Sequence, residues 1–333
     1  MADQALETVR LHDAQSQLDA TFVPGAGMLC CSLRHRGAEL LAQNAGVSEY
    51  AQRGKTMGVP LLYPWANRLA GLHYTAAGRT VAVPHDPTRI ALDGNGLPIH
   101  GVIGGRQRWQ LTRAPDLDDG LTAEDPRADA GPDGQSLAAQ LHWSEFASPD
   151  LFEVFPFTHD LHYEARLAGG SLEVTIAVHA CGKDAVPVAF GLHPYLSPPG
   201  IARERYLIEL PPLRQIALDA RQIPTGPGEA LPARRFELGE QQFDDGFDRV
   251  SQPAQFSVQA GTRRIALEFI EGYPCAQVYA PHSGQFICYE PMTAPTNALR
   301  SGEGLRVLAP GERHRAVFAV SIEDLPAQAG SGR

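Results

Sequence analysis

Two proton-transfer residues stand where a β-type run meets a proline. The stretch Val186-Pro187-Val188-Ala189-Phe190-Gly191-Leu192-His193-Pro194-Tyr195-Leu196 is rich in the β-branched and aromatic residues that favour a pleated, half-buried surface. The proline after His193 biases that histidine towards an extended backbone and ends the strand, which predicts an imidazole at a strand end. A second run, Phe286-Ile287-Cys288-Tyr289-Glu290-Pro291, also stops at an X-Pro step. Period-2 geometry puts Phe286, Cys288 and Glu290 on one face, so the carboxylate closes an otherwise apolar row. Partial desolvation there pushes its pKa upward, the direction a general base needs. The two residues read as an acid/base pair on rigid strand ends, suited to a small substrate.

Further polar groups could serve the same site. Asn67 and Arg68 follow Trp65. An amide and a planar guanidinium beside an aromatic hydrogen-bond and stack against a polar ring such as a sugar, and the same residues also fit a structural loop with Arg68 in a surface salt bridge. His100 precedes Gly101, where the missing side chain lets backbone or ligand approach closely, and a lone histidine fits a structural role as well. In Phe243-Asp244-Asp245-Gly246-Phe247-Asp248, acids beside aromatic faces suit sugar hydroxyls, while Asp-Asp-Gly is also an ordinary turn. His100 and His193 have no second histidine at chelating spacing, and there is no Gly-rich phosphate loop and no G-x-S-x-G elbow. Proton transfer is therefore expected ahead of metal catalysis.

These groups need rigid strands, and the periodicity supplies them. Residues 7–42 read as short strands at 7–12, 20–22, 28–33 and 39–41, separated by the turn signals Pro24-Gly25-Ala26-Gly27 and Arg36-Gly37. Runs 161–167 and 172–178 flank Ala168-Gly169-Gly170, and Leu172, Val174, Ile176 and Val178 alternate with Glu173, Thr175, Ala177 and His179, a hairpin with one buried face. Strands at 206–210, 265–270, 276–280, 286–290 and 316–322 continue the pattern, with 224–232 as a turn-rich connector. Helix-period segments are scarce, so an all-β fold is expected. The segment 114–136 carries seven acids and one arginine among Gly and Pro, which predicts a solvated or disordered loop between strands; its acids lack the spacing of a calcium loop. Residues 326–333 read as a disordered tail.

Composition narrows the partners. The 333 residues, 43% hydrophobic and 20% charged, suffice for a sizeable core in one large or two ordinary domains. With 28 Lys+Arg against 38 Asp+Glu, the net charge of −10 argues against nucleic acid and against an anionic membrane surface, and leaves neutral small molecules open. The N-terminus lacks a basic region followed by an apolar core, and no apolar run approaches a membrane span, so a cytoplasmic location is expected. Cys30, Cys31, Cys181, Cys275 and Cys288 are odd in number with no C-x-x-C spacing, and read as reduced core thiols.

Taken in order, Pro64-Trp65-Ala66-Asn67-Arg68 with Gly71, Ile99-His100-Gly101, His193-Pro194-Tyr195, Asp244-Asp245-Gly246-Phe247 and Glu290-Pro291-Met292-Thr293 resemble the motifs of the aldose 1-epimerase (galactose mutarotase) family. The resemblance runs from about residue 15 to 323, and its weight lies in five motifs in register, since none is specific alone. It implies a large antiparallel β-supersandwich with few short helices, a single domain over 1–325, and a sugar site in an open cleft. It also implies interconversion of the α and β anomers of an aldose, with no cofactor and no metal, by a monomer or homodimer. By the same resemblance Glu290 is the general base and His193 the general acid, with Arg68, Asn67, His100 and Asp244 binding substrate. Asp244 and Asp245 compete for one role, and Asp244 is preferred because it stands three residues before Phe247.

The chemistry suits these residue types on its own terms. Opening a pyranose requires a base for the C1 hydroxyl proton and an acid for the ring oxygen, so an ionised Glu290 and a protonated His193 are expected. A glycoside hydrolase would be expected to use two carboxylates flanking the bond. A non-catalytic sugar sensor would have no need of both Glu290 and His193. A hexose-6-phosphate epimerase would need a basic pocket, for which Arg34, Arg36 and Arg79 are candidates beside Arg68.

Overall fold

In the computed structural model, residues 6–115 and 134–326 are described. Two large antiparallel sheets dominate. The nine-stranded sheet runs, neighbour to neighbour, Gln110–Arg113, Gln135–Trp143, His159–Ala168, Ser171–His179, Arg313–Asp324, Arg263–Glu271, Ala254–Ala260, Leu207–Leu210 and Arg234–Glu237. The eight-stranded sheet runs Pro224–Leu231, Leu213–Leu218, Phe243–Asp248, Cys275–Ala280, Ile287–Met292, Gly191–Leu192 and Leu61–Leu62, and Tyr195–Leu196 also pairs with Ile287–Met292. A smaller four-stranded sheet is built from residues 9–39. The helices are short: Val47–Arg53, Pro149–Val154 and Ala298–Ser301. This is the β-supersandwich that the family resemblance implies, built on the all-β pattern read from the periodicity. No helix among the described residues is long and apolar enough to cross a membrane.

Alternation builds the core. Along His159–Ala168 and Ser171–His179 every second residue is buried, and the register pairs Leu161 with Val178, Tyr163 with Ile176 and Ala165 with Val174. Ala168 pairs with Ser171, leaving Gly169 and Gly170 as a two-residue turn whose φ values, 58° and 77°, suit glycine. The same alternation splits the eight-stranded sheet into two faces. Tyr289 packs its ring 5.4 Å from that of Phe256 and donates its hydroxyl to the Ser257 carbonyl, both on the nine-stranded sheet. One face of the eight-stranded sheet therefore lies on the nine-stranded one, and Glu290, the next residue, points to the other face.

Several sequence expectations are corrected. The 224–232 connector is an edge strand, Pro224–Leu231, where prolines are tolerated and the pairing shifts register. Asp244-Asp245-Gly246 does not turn: it lies inside the Phe243–Asp248 strand, held by continuous pairing to Cys275–Ala280. The Glu290-Pro291 step does not end its strand, since Pro291 pairs with Ala276 and pairing continues to Met292. Of the expected acidic loop, 116–133 lies outside the described residues, and Gln135 and Ser136 already belong to a strand. Residues 327–333 of the expected tail also lie outside them. The five cysteines are free; Cys30, Cys275 and Cys288 are buried, whereas Cys181 is exposed and not a core residue.

Candidate active site

Strand register brings Glu290 and His193 together. Gly191 pairs with Met292 and Tyr195 pairs with Cys288. Stepping two residues inward from either pair puts His193 opposite Glu290, in the short break between Gly191–Leu192 and Tyr195–Leu196. The histidine thus stands at a strand end as its proline predicted. Its Nε2 is 3.2 Å from Glu290 Oε1, and the side chains are only 5% and 2% exposed. Tyr195 stacks on the imidazole at 4.3 Å and 6° between planes, and its hydroxyl, 3.4 Å from Nε2, is also joined to Thr56 Oγ1 at 2.6 Å.

Burial sets the protonation of this pair. It pushes the Glu290 carboxyl well above the ordinary range, helped by the negative charge of Asp244 and opposed by Arg68. It holds the His193 imidazole well below its usual value, with His100 adding to the effect. The proton shared by the two is therefore favoured on Glu290, with its hydroxyl donating to Nε2, whereas the sequence suggested an ionised glutamate and a protonated histidine. The two distributions differ by one proton shift across the 3.2 Å contact.

His100 reaches the site by a close backbone approach. Tyr63 and Gly101 form a parallel bridge, Val102 N–H donates to the Tyr63 carbonyl and His100 N–H donates to the Asn67 carbonyl. A Cβ on Gly101 would lie 2.1 Å from that Tyr63 carbonyl oxygen, so the glycine serves backbone packing and not ligand entry. The His100 ring lies 5.4 Å from that of His193, and its pKa is pushed down to about 3 by withdrawal from water and by the Arg68 guanidinium.

Arg68 is a fixed cation. Nε donates to Asp93 Oδ2 at 2.8 Å, Nη1 to Asn67 Oδ1 at 3.1 Å, and Nη2 lies 3.6 Å from Asp244 Oδ2. It is therefore an inward-facing group and not the surface salt bridge its local sequence also allowed. Asp93 is locked in turn: burial alone would raise its pKa, but the N–H groups of Leu97 and Asn95 and the Arg68 guanidinium hold it below the ordinary range.

Asp244 and Asp245 have different neighbours. Gly246, Gln277 and Glu290 are successive cross-strand partners and share a face. Asp244, two residues from Gly246, lies on that face and accepts from Gln277 Nε2 at 2.7 Å. Asp245 points the other way with buried Phe247 and is bonded to Gln215 at 2.8 Å. An open cleft of about 760 Å³ is lined by Asp244, Asp245 and Tyr279 and continues over Gln215 and Gln222; Glu290 and His193 do not line it. Among the described residues, His193 Nδ1, His100 Nδ1 and Glu290 Oε2 are buried without a protein hydrogen-bond partner, so polar valences converge here.

A profile of the aldose 1-epimerase family matches residues 15–321 of this chain. The chain belongs to the aldose 1-epimerase family. It is 23% identical over 303 residues to the uncharacterized protein YihR of Escherichia coli K12, covering 85% of this chain and 89% of that one. Its fold is similar to that of the Slr1438 protein of Synechocystis sp. PCC 6803, with a TM-score of 0.72 at 22% identity over 97% of this chain and 98% of that one. It is also similar to a galactose mutarotase-like protein of Clostridium acetobutylicum, with a TM-score of 0.75 at 16% identity over 96% and 99% of the two chains. Family and fold are thus those of aldose 1-epimerase-like enzymes.

Asp93, Gln277 and Tyr195 were missed from the sequence. Gln277 had a signal: it is the lone polar residue in the run Cys275-Ala276-Gln277-Val278-Tyr279-Ala280. Tyr195 had the period-2 step from His193. Asp93 had none, because its partner lies 25 residues away, across three intervening short strands.

Proposed function

We propose that this aldose 1-epimerase family member interconverts the α and β anomers of a free aldose hexose, with Glu290 and His193 as its proton-transfer pair. The observation that carries the proposal is their buried 3.2 Å contact, flanked by unpartnered His193 Nδ1 and Glu290 Oε2. Sugar hydroxyls and Arg68 stabilise the ionised form of the pair when substrate binds. Glu290 then takes the proton of the C1 hydroxyl while His193 gives its Nε2 proton to the ring oxygen, and the C1–O5 bond breaks to leave a bound aldehyde. After rotation about C1–C2 the transfers run backwards on the other carbonyl face.

Burial has a directional effect on this cycle. Once the ring is open, Glu290 is protonated and His193 neutral, the distribution that desolvation favours. The environment thus acts more strongly on the opened state than on the closed one, as catalysis requires. General acid–base help is worth roughly 10²–10⁴-fold, about 3–5 kcal/mol, and orientation by Arg68, Asn67, His100 and Asp244 adds to it.

A phosphorylated substrate is disfavoured, since the candidate cations are engaged elsewhere: Arg34 with Glu39, Arg36 with Asp324 and Arg79 with Asp184. Polarimetry of freshly dissolved α-glucose, α-galactose and their 6-phosphates, with and without protein, tests the proposal. Acceleration with a free hexose is expected. No acceleration with any would overturn it in favour of a sensor, and acceleration of the phosphates alone would move the substrate class.

A further inference from the structure

The solvent face of the nine-stranded sheet carries a second cluster of reactive side chains that plays no part in the site above. Register pairs His142 with Asp160, and Asp160 with His179, so three polar residues form one row across three neighbouring strands. His142 Nδ1 lies 2.5 Å from Asp160 Oδ1, and His179 Nδ1 lies 3.9 Å from Asp160 Oδ2. Just past the end of the third strand the chain folds back, with Cys181 N–H donating to the His179 carbonyl at 2.8 Å, and this brings the Cys181 thiol close to the same Asp160 carboxylate. The donor atoms of His142, Asp160 and Cys181 all lie within 4.8 Å of one another.

An aspartate between two histidines needs only a proton to account for it. Convergence of an exposed thiol on the same carboxylate, from outside the strands, is the additional observation. His142, Asp160 and Cys181 supply an imidazole, a carboxylate and a thiol within one group, and His179, 3.9 Å from Asp160 but outside that group, becomes the fourth donor of a tetrahedral zinc-type site by turning towards it; imidazole with thiolate selects against magnesium and calcium. Three of the four residues stand on paired strands, which fixes their backbone positions, while Cys181 lies just beyond the third strand. The 2.5 Å contact of His142 with Asp160 must open to about 3.3 Å, the edge of a tetrahedron with metal–nitrogen bonds near 2.0 Å.

We propose that His142, Asp160, His179 and Cys181 bind a zinc-class divalent ion on this face, tying the segment after Ser171–His179 to the two strands beside it. Binding replaces the Cys181 S–H proton, which is released to solvent, and takes both imidazoles neutral, so affinity rises with pH.

Cobalt(II) titration of the full chain at neutral pH, followed by displacement with zinc, tests this. One equivalent of cobalt is expected, with tetrahedral visible bands and a thiolate-to-cobalt charge-transfer band that is absent from Cys181→Ser. Asp160→Asn and His142→Gln are expected to weaken zinc binding by at least roughly tenfold in equilibrium dialysis. Zinc is expected to raise the thermal midpoint of the parent chain and not of Cys181→Ser. Absence of the charge-transfer band in the parent, or zinc affinity unchanged in Cys181→Ser and Asp160→Asn, would overturn the site. These side chains are exposed or half-buried, so the variants are expected to fold.

Discussion

His193 Nε2 faces Glu290 Oε1 at 3.2 Å with both side chains withdrawn from water. The pair works while it holds one proton. Adding a second requires protonating His193 against burial, and removing the only one requires ionising Glu290 against burial. The acid edge of the working window therefore lies below the ordinary histidine value of 6.5, and the alkaline edge well above the ordinary glutamate value of 4.5. The kcat/KM of mutarotation is expected to stay flat as pH falls through 6.5. A midpoint at that pH would contradict the assignment of the buried pair.

Glu290→Gln keeps the shape of the side chain and removes its ability to take a proton. Mutarotation is expected to fall roughly 10²–10⁴-fold. Sugar binding, measured by calorimetry or intrinsic fluorescence, should survive, because Arg68 and Asp244 are untouched. His193→Asn is expected to fall similarly. Full activity in either variant would remove that residue from the proton path.

Arg68 spans Asp93, Asn67 and Asp244 with separate nitrogens, an arrangement that one ammonium cannot reproduce. Arg68→Lys is expected to lower kcat/KM by roughly 10–100-fold, the size of one or two lost hydrogen bonds to charged groups. The larger part should appear in KM. An unchanged KM in steady-state polarimetry would mean that Arg68 only braces Asp93.

Much of this site was legible because its information is local. His193 and Glu290 each sit in a β-type run with an X-Pro step, and period 2 alone predicted the face of Glu290. Their mutual contact was not legible, because it depends on the offset between two strands nearly a hundred residues apart. The same holds for Asp244: its turn-like Asp-Asp-Gly sequence is overridden by unbroken pairing with Cys275–Ala280, a tertiary effect that propensity does not contain. Arg68 needed Asp93, and that link is made by a turn whose geometry, not its composition, aims the carboxylate.

Gly101 has φ near 70° and no room for a side chain, since a Cβ would lie 2.1 Å from the Tyr63 carbonyl oxygen and 2.8 Å from Pro64 N. Both neighbours are backbone and cannot rotate away. Gly101→Ala is expected to lower stability by more than about 2 kcal/mol and to displace His100. Gly94→Ala, with nothing within 4 Å of its Cβ, is the control and should be close to neutral. Urea midpoints of the two variants check this, and equal midpoints would overturn it.

His159 supplies a stability test independent of activity. It is fully buried, with Nδ1–H donating to the Phe157 carbonyl and Nε2 accepting from the Tyr63 hydroxyl, both at 2.6 Å. Burial pushes its pKa down to about 4 from an ordinary 6.5. Between those values the unfolded chain binds a proton at this residue and the folded chain does not, so stability is full above pH 6.5 and falls as pH drops towards about 4. A shift of that size corresponds to about 3 kcal/mol. His314, also held down to about 4, acts in the same direction. Unfolding free energy measured against pH should therefore decline on the acid side of 6.5. His159→Gln should be less stable at neutral pH, through its weakened bonds, yet show a shallower acid decline by about one proton. An unchanged slope in that variant would mean that His159 titrates normally in the folded chain.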